Sequence, residues 1–237
     1  LLMAGLDVDS AQAPLIGIVF TALSMLPVGM TRLAQPPAPQ AASVALRQAW
    51  RVSPVGLTGM LAVGGLSMMI AGFAPIHATA KGFSQQEVAA LMFAMPLGAL
   101  ILQIPFGWIS DRTDRRYVLI AASLLVALTG IAAARFDTAP LVIILAIYLI
   151  WSGSSESIYS LASAHANDRS SKENLVALSA TLLFTWSVAG FVTPAIGTAL
   201  TAAFGTQSFI YVAISIAFSY ALFVAWVGIY FLFYNAH

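Results

Sequence analysis

Residues 91–133 read LMFAMPLGALILQIPFGWISDRTDRRYVLIAASLLVALTGIAA, in which two apolar runs flank one short charged turn. Each run is close to the roughly 20 residues that an α-helix needs to cross a hydrocarbon core of about 30 Å. A transmembrane barrel would instead show segments of about ten residues in which apolar and polar side chains alternate. The stretch therefore predicts two membrane-spanning helices joined by a turn.

The composition extends this pattern to the whole chain of 237 residues, of which 60% are hydrophobic and 8% charged. Soluble domains contain about 25% charged residues, so the sequence predicts an all-α membrane protein. The formal net charge of +1 argues against a nucleic-acid partner, and the absence of cysteine excludes disulfides and thiolate metal sites. No spacing resembles a metal site, a nucleotide-binding loop or a nucleophile with its base. We therefore expect no metal, no cofactor and no enzymatic activity.

Apolar runs between charged, proline or glycine residues predict seven spans. They cover approximately residues 14–31, 54–76, 87–108, 117–135, 140–164, 175–203 and 208–233. The long linker 32–53 contains QPPAPQAA and then the short amphipathic stretch VALRQAWR. The chain begins Leu1-Leu2-Met3, without an initiator methionine or the charged start of a signal peptide, so we expect it to be part of a longer protein.

Lysine and arginine in the loops predict the orientation, because cytoplasmic loops of membrane proteins carry an excess of these residues. When the loops are assigned alternately to the two sides, one side holds only Lys81 and Arg135. The other side holds Arg32, Arg47, Arg51, Arg112, Arg115, Arg116, Arg169 and Lys172. We therefore expect the linker, the turn at 109–116, the loop at 165–174 and the C-terminus at His237 to face the cytoplasm.

The charged turn reads GWISDRTDRR and combines three arginines with two aspartates. The glycine at its start would allow two helices to approach closely. Asp111 and Asp114 can accept hydrogen bonds from arginine or lie at a helix N-terminus, where the helix dipole favours an anion. We interpret the cluster as a conformational latch that holds when the cytoplasmic side is closed and breaks when it opens. Its residues are Gly107, Asp111, Arg112, Asp114, Arg115 and Arg116.

The pattern G-x-x-x-D-R-x-D-R-R resembles the signature loop of the major facilitator superfamily, which lies between the second and third helices of each half of these transporters. The resemblance implies twelve helices in two six-helix bundles joined by a long cytoplasmic linker. Residues 1–31 would then be the end of the N-terminal bundle, with its sixth helix. Residues 32–53 would be the linker and 54–237 the C-terminal bundle, so the N-terminal half of the same protein is an expected partner.

A second resemblance concerns IYSLASAHANDRSSKENLVALSA, residues 158–180, which is similar to a group of bacterial facilitators related to YcaD. It implies a bacterial inner-membrane protein without indicating a substrate. Considered as residues alone, the charged part of this stretch predicts a solvated turn with local ion pairs. That turn comprises Asp168, Arg169, Lys172 and Glu173.

Glu156 is the carboxylate that lies well inside a predicted span, about four residues and roughly 6 Å from the centre of 140–164. A charge there costs about 2.5–3.5 kcal/mol on insertion scales. Ser152, Tyr159 and Ser163 share its helical face, so we expect this polar stripe to face the protein interior or a cavity. Because burial disfavours the charged form, Glu156 is a candidate proton-coupling residue. A structural carboxyl bonded to a neighbouring helix is the alternative.

The sixth span contains GFVTPAIG, in which Pro194 lies between Gly190 and Gly197 and removes a backbone hydrogen bond. The run loosely resembles the glycine- and proline-rich motif of antiporter-type facilitators, although that motif belongs to the fifth helix. We interpret these three residues as a helix bend, with ordinary close packing as the alternative. Trp186 lies on the same helical face as Gly190 and is a candidate cavity residue.

The second and third spans supply further candidates for a substrate cavity. Methionine adapts to varied apolar surfaces, so Met68 and Met92 would suit an amphiphilic substrate, although such residues are also common in ordinary cores. An amide in lipid needs a partner, so Gln103 is either a cavity residue or part of an interhelical hydrogen bond. The complete set of cavity candidates is Thr58, Met68, Met92, Gln103, Ser152, Tyr159 and Trp186. The fourth span is almost uniformly apolar and is expected to face lipid.

The sequence therefore favours a secondary transporter of the plasma membrane that moves a small organic solute by alternating access, with proton-coupled efflux as the working hypothesis. The lipid bilayer, a small-molecule substrate and protons are the expected partners. A facilitator-like sensor or receptor that does not transport stays open as the alternative. A membrane enzyme acting on lipid would need clustered His, Asp, Glu or Ser residues near one interface, and the sequence shows no such cluster.

Overall fold

The computed structural model describes residues 12–30, 44–136 and 139–234, and most of these residues are helical. The helices are α1 (Gln12–Gly29), α2 (Leu46–Val52), α3 (Pro54–Ala80), α4 (Gln85–Ser110), α5 (Arg115–Arg135), α6 (Leu141–Asn167), α7 (Leu175–Phe204) and α8 (Ser208–Tyr234). A 3₁₀ turn, Lys172–Asn174, precedes α7. No strand occurs in the described ranges, and the predicted all-α fold is confirmed.

Helices α3 to α8 are long and apolar enough to cross a membrane, which confirms six of the seven predicted spans. The remaining predicted span, 14–31, falls on α1, whose apolar part Gly17–Pro27 is shorter, so its crossing stays a prediction. The chain divides into two compact units, Leu1–Ala41 with α1 and Ala42–His237 with α2 to α8. Arg32, the QPPAPQAA segment and His237 lie outside the described residues.

Local sequence explains where the helices begin. Ser53 caps α3 by accepting a hydrogen bond of 3.0 Å from the backbone N–H of Gly56, and Pro54 follows in the first turn, where it disrupts no helical hydrogen bond. Ser84 and Glu87 form a reciprocal capping box at the start of α4. At each of these helix starts, a polar side chain therefore satisfies a backbone N–H group that has no partner within the helix.

Helices α3 to α8 run alternately in opposite directions, as contacts at both ends show. At one end, the Arg115 guanidinium at the start of α5 donates to the Asp168 carboxylate at the end of α6. At the other end, the Gln207 amide between α7 and α8 donates to the Ala134 carbonyl of α5 at 3.0 Å. We call the first end the basic end, because it holds most of the described loop cations. They are Arg47, Arg51, Arg112, Arg115, Arg116, Arg169 and Lys172, whereas Lys81 and Arg135 lie at the opposite end.

Glycine permits the closest contacts between helices of the bundle. A Cβ atom on Gly98 of α4 would overlap the backbone carbonyl of Leu149 on α6. A Cβ atom on Gly64 of α3 would likewise overlap the backbone carbonyl of Trp186 on α7. Small residues that bring two backbones together are typical of helix packing in membranes, where apolar side chains gain little by leaving lipid. These glycines therefore join α4 to α6 and α3 to α7.

Helix α5 packs against α6 and α8, with Leu119 and Val126 fully buried. Only its other side is exposed, at residues such as Leu128. The expectation that this span faces lipid agrees with its exposed side, whereas the other half of its surface is buried in the bundle. A uniformly apolar helix carries no polar face by which the sequence could mark the buried side.

Candidate functional site

Glu156 lies near the middle of α6. The midpoint of Leu141–Asn167 is Ser154, which places Glu156 about 3 Å from it along the helix axis. The Ser67 hydroxyl of α3 donates a hydrogen bond of 2.6 Å to Oε1 of the Glu156 carboxylate. That distance is typical of a hydroxyl bonded to a charged acceptor. The Glu156 side chain is half-buried, so it is held against α3 without being fully enclosed.

Ser67 is a functional candidate that sequence reasoning missed. It lies 89 residues from Glu156 in the chain, so no helical periodicity connects the two. The available signal was a hydroxyl inside an otherwise apolar span. Such a hydroxyl more often bonds a carbonyl of its own helix, and nothing in the sequence distinguished the two arrangements.

The polar stripe predicted on α6 faces α3 and α7. Ser152 is buried, and the Ser163 hydroxyl lies 3.5 Å from the Met60 sulfur of α3. The Tyr159 ring meets the Trp186 ring of α7 edge to face, with 6.4 Å between ring centroids. The interior side of α6 is therefore polar where it meets α3 and aromatic where it meets α7.

Met68 of α3 lies beside the residues at which α6 meets α3 and α7. Its side chain is 37% exposed and lies against Gly190 of α7, where an added Cβ atom would come within 3.0 Å of Met68 Cγ. We call this region the α3–α6–α7 seam. It comprises Ser67, Met68, Glu156, Tyr159, Trp186 and Gly190. The seam combines a carboxylate, a hydroxyl, two aromatic rings and a thioether, which together can hold a proton and an amphiphilic solute.

Three other cavity candidates lie apart from the seam's hydrogen bonds and ring contacts. The Thr58 hydroxyl donates to the Pro54 carbonyl of its own helix at 2.8 Å. Met92 is 40% exposed on α4, and Gln103 is also exposed there. Within residues 44–136 and 139–230, Gln103 makes no hydrogen bond, so the interhelical bond considered from the sequence is not formed inside this bundle. The participation of Thr58, Met92 and Gln103 in a cavity stays a prediction.

Gly190, Pro194 and Gly197 lie within α7, which continues as one helix from Leu175 to Phe204. An added Cβ atom on Gly197 would clash with the Met69 sulfur of α3. Both glycines therefore face α3 at close range, in agreement with the packing alternative. A functional bend at Pro194 stays a prediction.

The charged turn between α4 and α5 is built around Asp114. Its carboxylate caps α5 by accepting a hydrogen bond of 2.9 Å from the Arg116 backbone N–H, and it accepts another of 2.8 Å from the Arg116 side chain. The side-chain hydrogen bond from Arg116 holds the pKa of Asp114 below its usual value. Arg112 stacks over the Trp108 ring, with its guanidinium carbon 3.9 Å from the ring centroid. The predicted pairing of aspartates with arginines and with a helix N-terminus is thus present.

Arg115 joins this turn to the end of α6. Its guanidinium donates to the Asp168 carboxylate at 2.6 Å, to the Ser110 hydroxyl at 2.8 Å and to the Asp111 carboxylate at 3.2 Å. The prediction that Asp168 belongs to a turn with only local pairs is therefore wrong. Asp168 pairs across 53 residues because the antiparallel arrangement of α5 and α6 brings the start of one beside the end of the other.

Gly107 does not bring two helices together within this bundle. It lies in the last turn of α4, and an added Cβ atom would meet no atom within 4 Å. The described residues therefore do not make the expected close approach at this glycine, and an approach by a helix outside them stays a prediction. The exposed surface of α4 on either side, at Ile104 and Trp108, is equally unpacked.

His165 is fully buried at the basic end. Its Nδ1 atom lies 3.0 Å from a guanidinium nitrogen of Arg169, which also donates to the His165 carbonyl. Burial, together with the neighbouring Arg116, holds the pKa of Arg169 below its ordinary value. Among the described residues, no three His, Asp or Glu side chains cluster in a way that could hold a metal ion.

Residues 55–231 match the family model described as Major Facilitator Superfamily, which covers most of the chain. The chain belongs to the major facilitator superfamily. This facilitator chain is also similar to two proteins described as uncharacterized MFS-type transporters, from Yersinia pestis strain Pestoides F and Yersinia pseudotuberculosis strain YPIII. Each is 25% identical over 173 residues. The match covers 73% of this chain and 44% of each relative, so the chain spans only part of the length of these relatives.

Proposed function

We propose that this chain supplies the C-terminal bundle and the linker of a secondary transporter, which moves a small organic solute across a bacterial inner membrane by alternating access. Three observations support the proposal. They are the match to the superfamily, the six membrane-spanning helices α3 to α8, and the greater length of the related transporters, which leaves room for a preceding bundle. The basic end, with the C-terminus, would face the cytoplasm, because most loop cations lie there.

Transport would be coupled to protons at Glu156, and the observation that carries this proposal is the hydrogen bond from Ser67 near the middle of α6. A charged carboxylate accepts that bond, whereas a protonated carboxyl becomes a donor itself. Protonation therefore changes the contact between α3 and α6. A cationic amphiphile and a proton would compete for the same carboxylate, which is the requirement for proton-driven efflux.

The latch would act at the basic end through Arg115. Arg115 fixes the α4–α5 turn to the end of α6, so these three elements would move together when the cytoplasmic side opens. The exposed surface of α4 around Gly107 would contact the N-terminal bundle while the cytoplasmic side is closed and would separate from it on opening. Glu156 would sense the proton, and the latch would transmit the resulting movement to the cytoplasmic side.

The test uses the complete protein in proteoliposomes that contain a pH-sensitive dye. A panel of small organic solutes, including amphiphilic cations, is added under an imposed pH gradient, and solute-dependent proton movement is recorded. We expect the Glu156→Gln variant to lose at least about tenfold of the proton-driven flux, because the amide cannot exchange a proton. Glu173→Gln is the matched control, since that carboxylate is exposed at the basic end and should leave the flux unchanged.

Full proton-driven flux in Glu156→Gln at all pH values would remove Glu156 from the mechanism. A Ser67→Ala variant that changes the pH dependence of the flux without abolishing it would support a role for the Ser67–Glu156 hydrogen bond in proton coupling. If the wild-type protein binds a solute but moves neither solute nor protons, the sensor or receptor alternative replaces transport.

A further inference from the structure

An exposed aromatic surface runs from α2 along the last part of α8. The Trp50 ring of α2 lies 6.1 Å from the Phe223 ring, Phe223 lies 6.1 Å from Trp226, and Trp226 lies 6.1 Å from Tyr230. Phe223 is partly buried, whereas Trp50, Trp226 and Tyr230 are about half exposed or more. We call this region, together with Arg47 and Arg51, the α2–α8 surface.

The α2–α8 surface lies at the basic end of the bundle. The Tyr220 hydroxyl donates to the Val55 carbonyl in the first turn of α3 at 3.0 Å, so this part of α8 is level with the start of α3. Tyr230 is ten residues further along and therefore lies about 15 Å beyond that level. Tryptophan and tyrosine in this position are typical of the zone where lipid headgroups begin.

The two arginines of α2 differ from the arginines of the α4–α5 turn. Arg47 and Arg51 are exposed and make no hydrogen bond or ion pair within the described residues, and neither α2 nor α8 contains Asp or Glu. Arg115 and Arg116, by contrast, are both paired with aspartates. The α2–α8 surface is thus purely cationic and apolar, which is complementary to an anionic amphiphile.

Helix α2 is held in place on the bundle. The Ala45 backbone N–H donates to the Thr181 hydroxyl of α7 at 3.0 Å, and Ala49 is buried on the same side. Arg47, Trp50 and Arg51 are spaced by three and four residues and so share the opposite face. The packed side of α2 therefore fixes the face of the helix on which Arg47, Trp50 and Arg51 lie.

We propose that the α2–α8 surface binds an anionic glycerophospholipid, whose phosphate headgroup is held by Arg47 and Arg51 and whose acyl chain runs from Phe223 along the exposed side of α8 toward the start of that helix, past Leu222 and Phe218. Guanidinium groups bind phosphate through paired hydrogen bonds, and the rings of Trp50, Trp226 and Tyr230 suit the headgroup zone beside them. The site would tie the linker to the cytoplasmic leaflet of the membrane. This proposal is independent of Glu156 and of proton coupling.

The test measures quenching of tryptophan fluorescence in the complete protein, reconstituted in vesicles that contain either dibrominated phosphatidylglycerol or dibrominated phosphatidylcholine. The Trp50 contribution is the difference between the wild-type protein and Trp50→Phe. We expect this contribution to be quenched at several-fold lower mole fractions of the anionic lipid. Each arginine removed should lower the preference about fivefold, and Arg47→Gln with Arg51→Gln together should abolish it.

Arg135→Gln with Lys172→Gln removes the same formal charge elsewhere and should leave the preference unchanged. Arg47→Lys with Arg51→Lys keeps the charge, so much of the preference should survive if that variant folds as the wild type does. Equal quenching by both lipids in the wild-type protein would overturn the proposal. So would a preference that survives in the double glutamine variant, or a Trp50 contribution that neither lipid quenches.

Discussion

Arg115 donates to three acceptors, and its position shows how one residue organises the basic end. Its side chain is 21% exposed, whereas that of its partner Asp168 is 53% exposed. An ion pair in contact with water contributes little by itself, because solvent screens the charges. The value of this pair lies in joining the start of α5 to the end of α6.

We predict a coupling of about 0.5–1 kcal/mol between Arg115 and Asp168 in a double-mutant cycle with Arg115→Gln and Asp168→Asn. The free energy of unfolding would be measured in mixed micelles for the wild type, both single variants and the double variant. Arg112→Gln with Asp168→Asn serves as the control, because Arg112 stacks on Trp108 instead. A coupling near zero for the first pair, or equal couplings for both, would show that the Arg115 contact is not maintained in solution.

At the scale of elements, the contact between α4 and α6 depends on the absence of a side chain at Gly98. Gly153 repeats the arrangement from the other helix, since an added Cβ atom there would overlap the Gly98 carbonyl. The two backbones therefore touch at reciprocal positions. Any side chain at either glycine must push the helices apart along their length.

We predict that Gly98→Val destabilises the bundle by about 1–3 kcal/mol or more, because the added atoms meet backbone that cannot rotate away. Gly72→Val is the matched control. Gly72 also lies inside a membrane-spanning helix, but an added Cβ atom there meets nothing within 4 Å, so its effect should stay within about 0.5 kcal/mol. Unfolding in mixed micelles measures both variants, and similar losses in the two would contradict the close contact.

The sequence was sufficient for the helices but not for the contacts between them. The length of the apolar runs, and the charged, proline and glycine residues between them, predicted α3 to α8. The thickness of the hydrocarbon core dictates how long an apolar span must be. The Ser67–Glu156 and Arg115–Asp168 bonds join residues 89 and 53 positions apart, and periodicity along one helix carries no information about such pairs. The same limit applies to Gly107, since a glycine in a motif does not reveal which neighbouring helix, if any, packs against it.

At the scale of the whole molecule, the described cations divide unequally between the two ends. This division depends on the alternating direction of α3 to α8, so a single inverted helix would destroy it. The orientation can be tested cleanly because the chain contains no cysteine.

We predict that Gln86→Cys reacts with a membrane-impermeant maleimide added to intact cells, whereas Ser171→Cys reacts only after the membrane is opened. Both positions are exposed, and they lie at opposite ends of the bundle. The complete protein, freed of any cysteine elsewhere, is the required background. Labelling of Ser171→Cys in intact cells would place the basic end outside and reverse the proposed orientation.

The contact of Gly64 with Trp186 has a consequence for how the protein is made. The two positions are about 122 residues apart, and ribosomes add roughly 5–20 residues per second. Helix α3 therefore waits about 6–24 s during translation before its partner helix exists. Throughout that interval its glycine-lined face has only lipid or the insertion machinery to cover it, so the bundle closes late in synthesis, when α7 arrives.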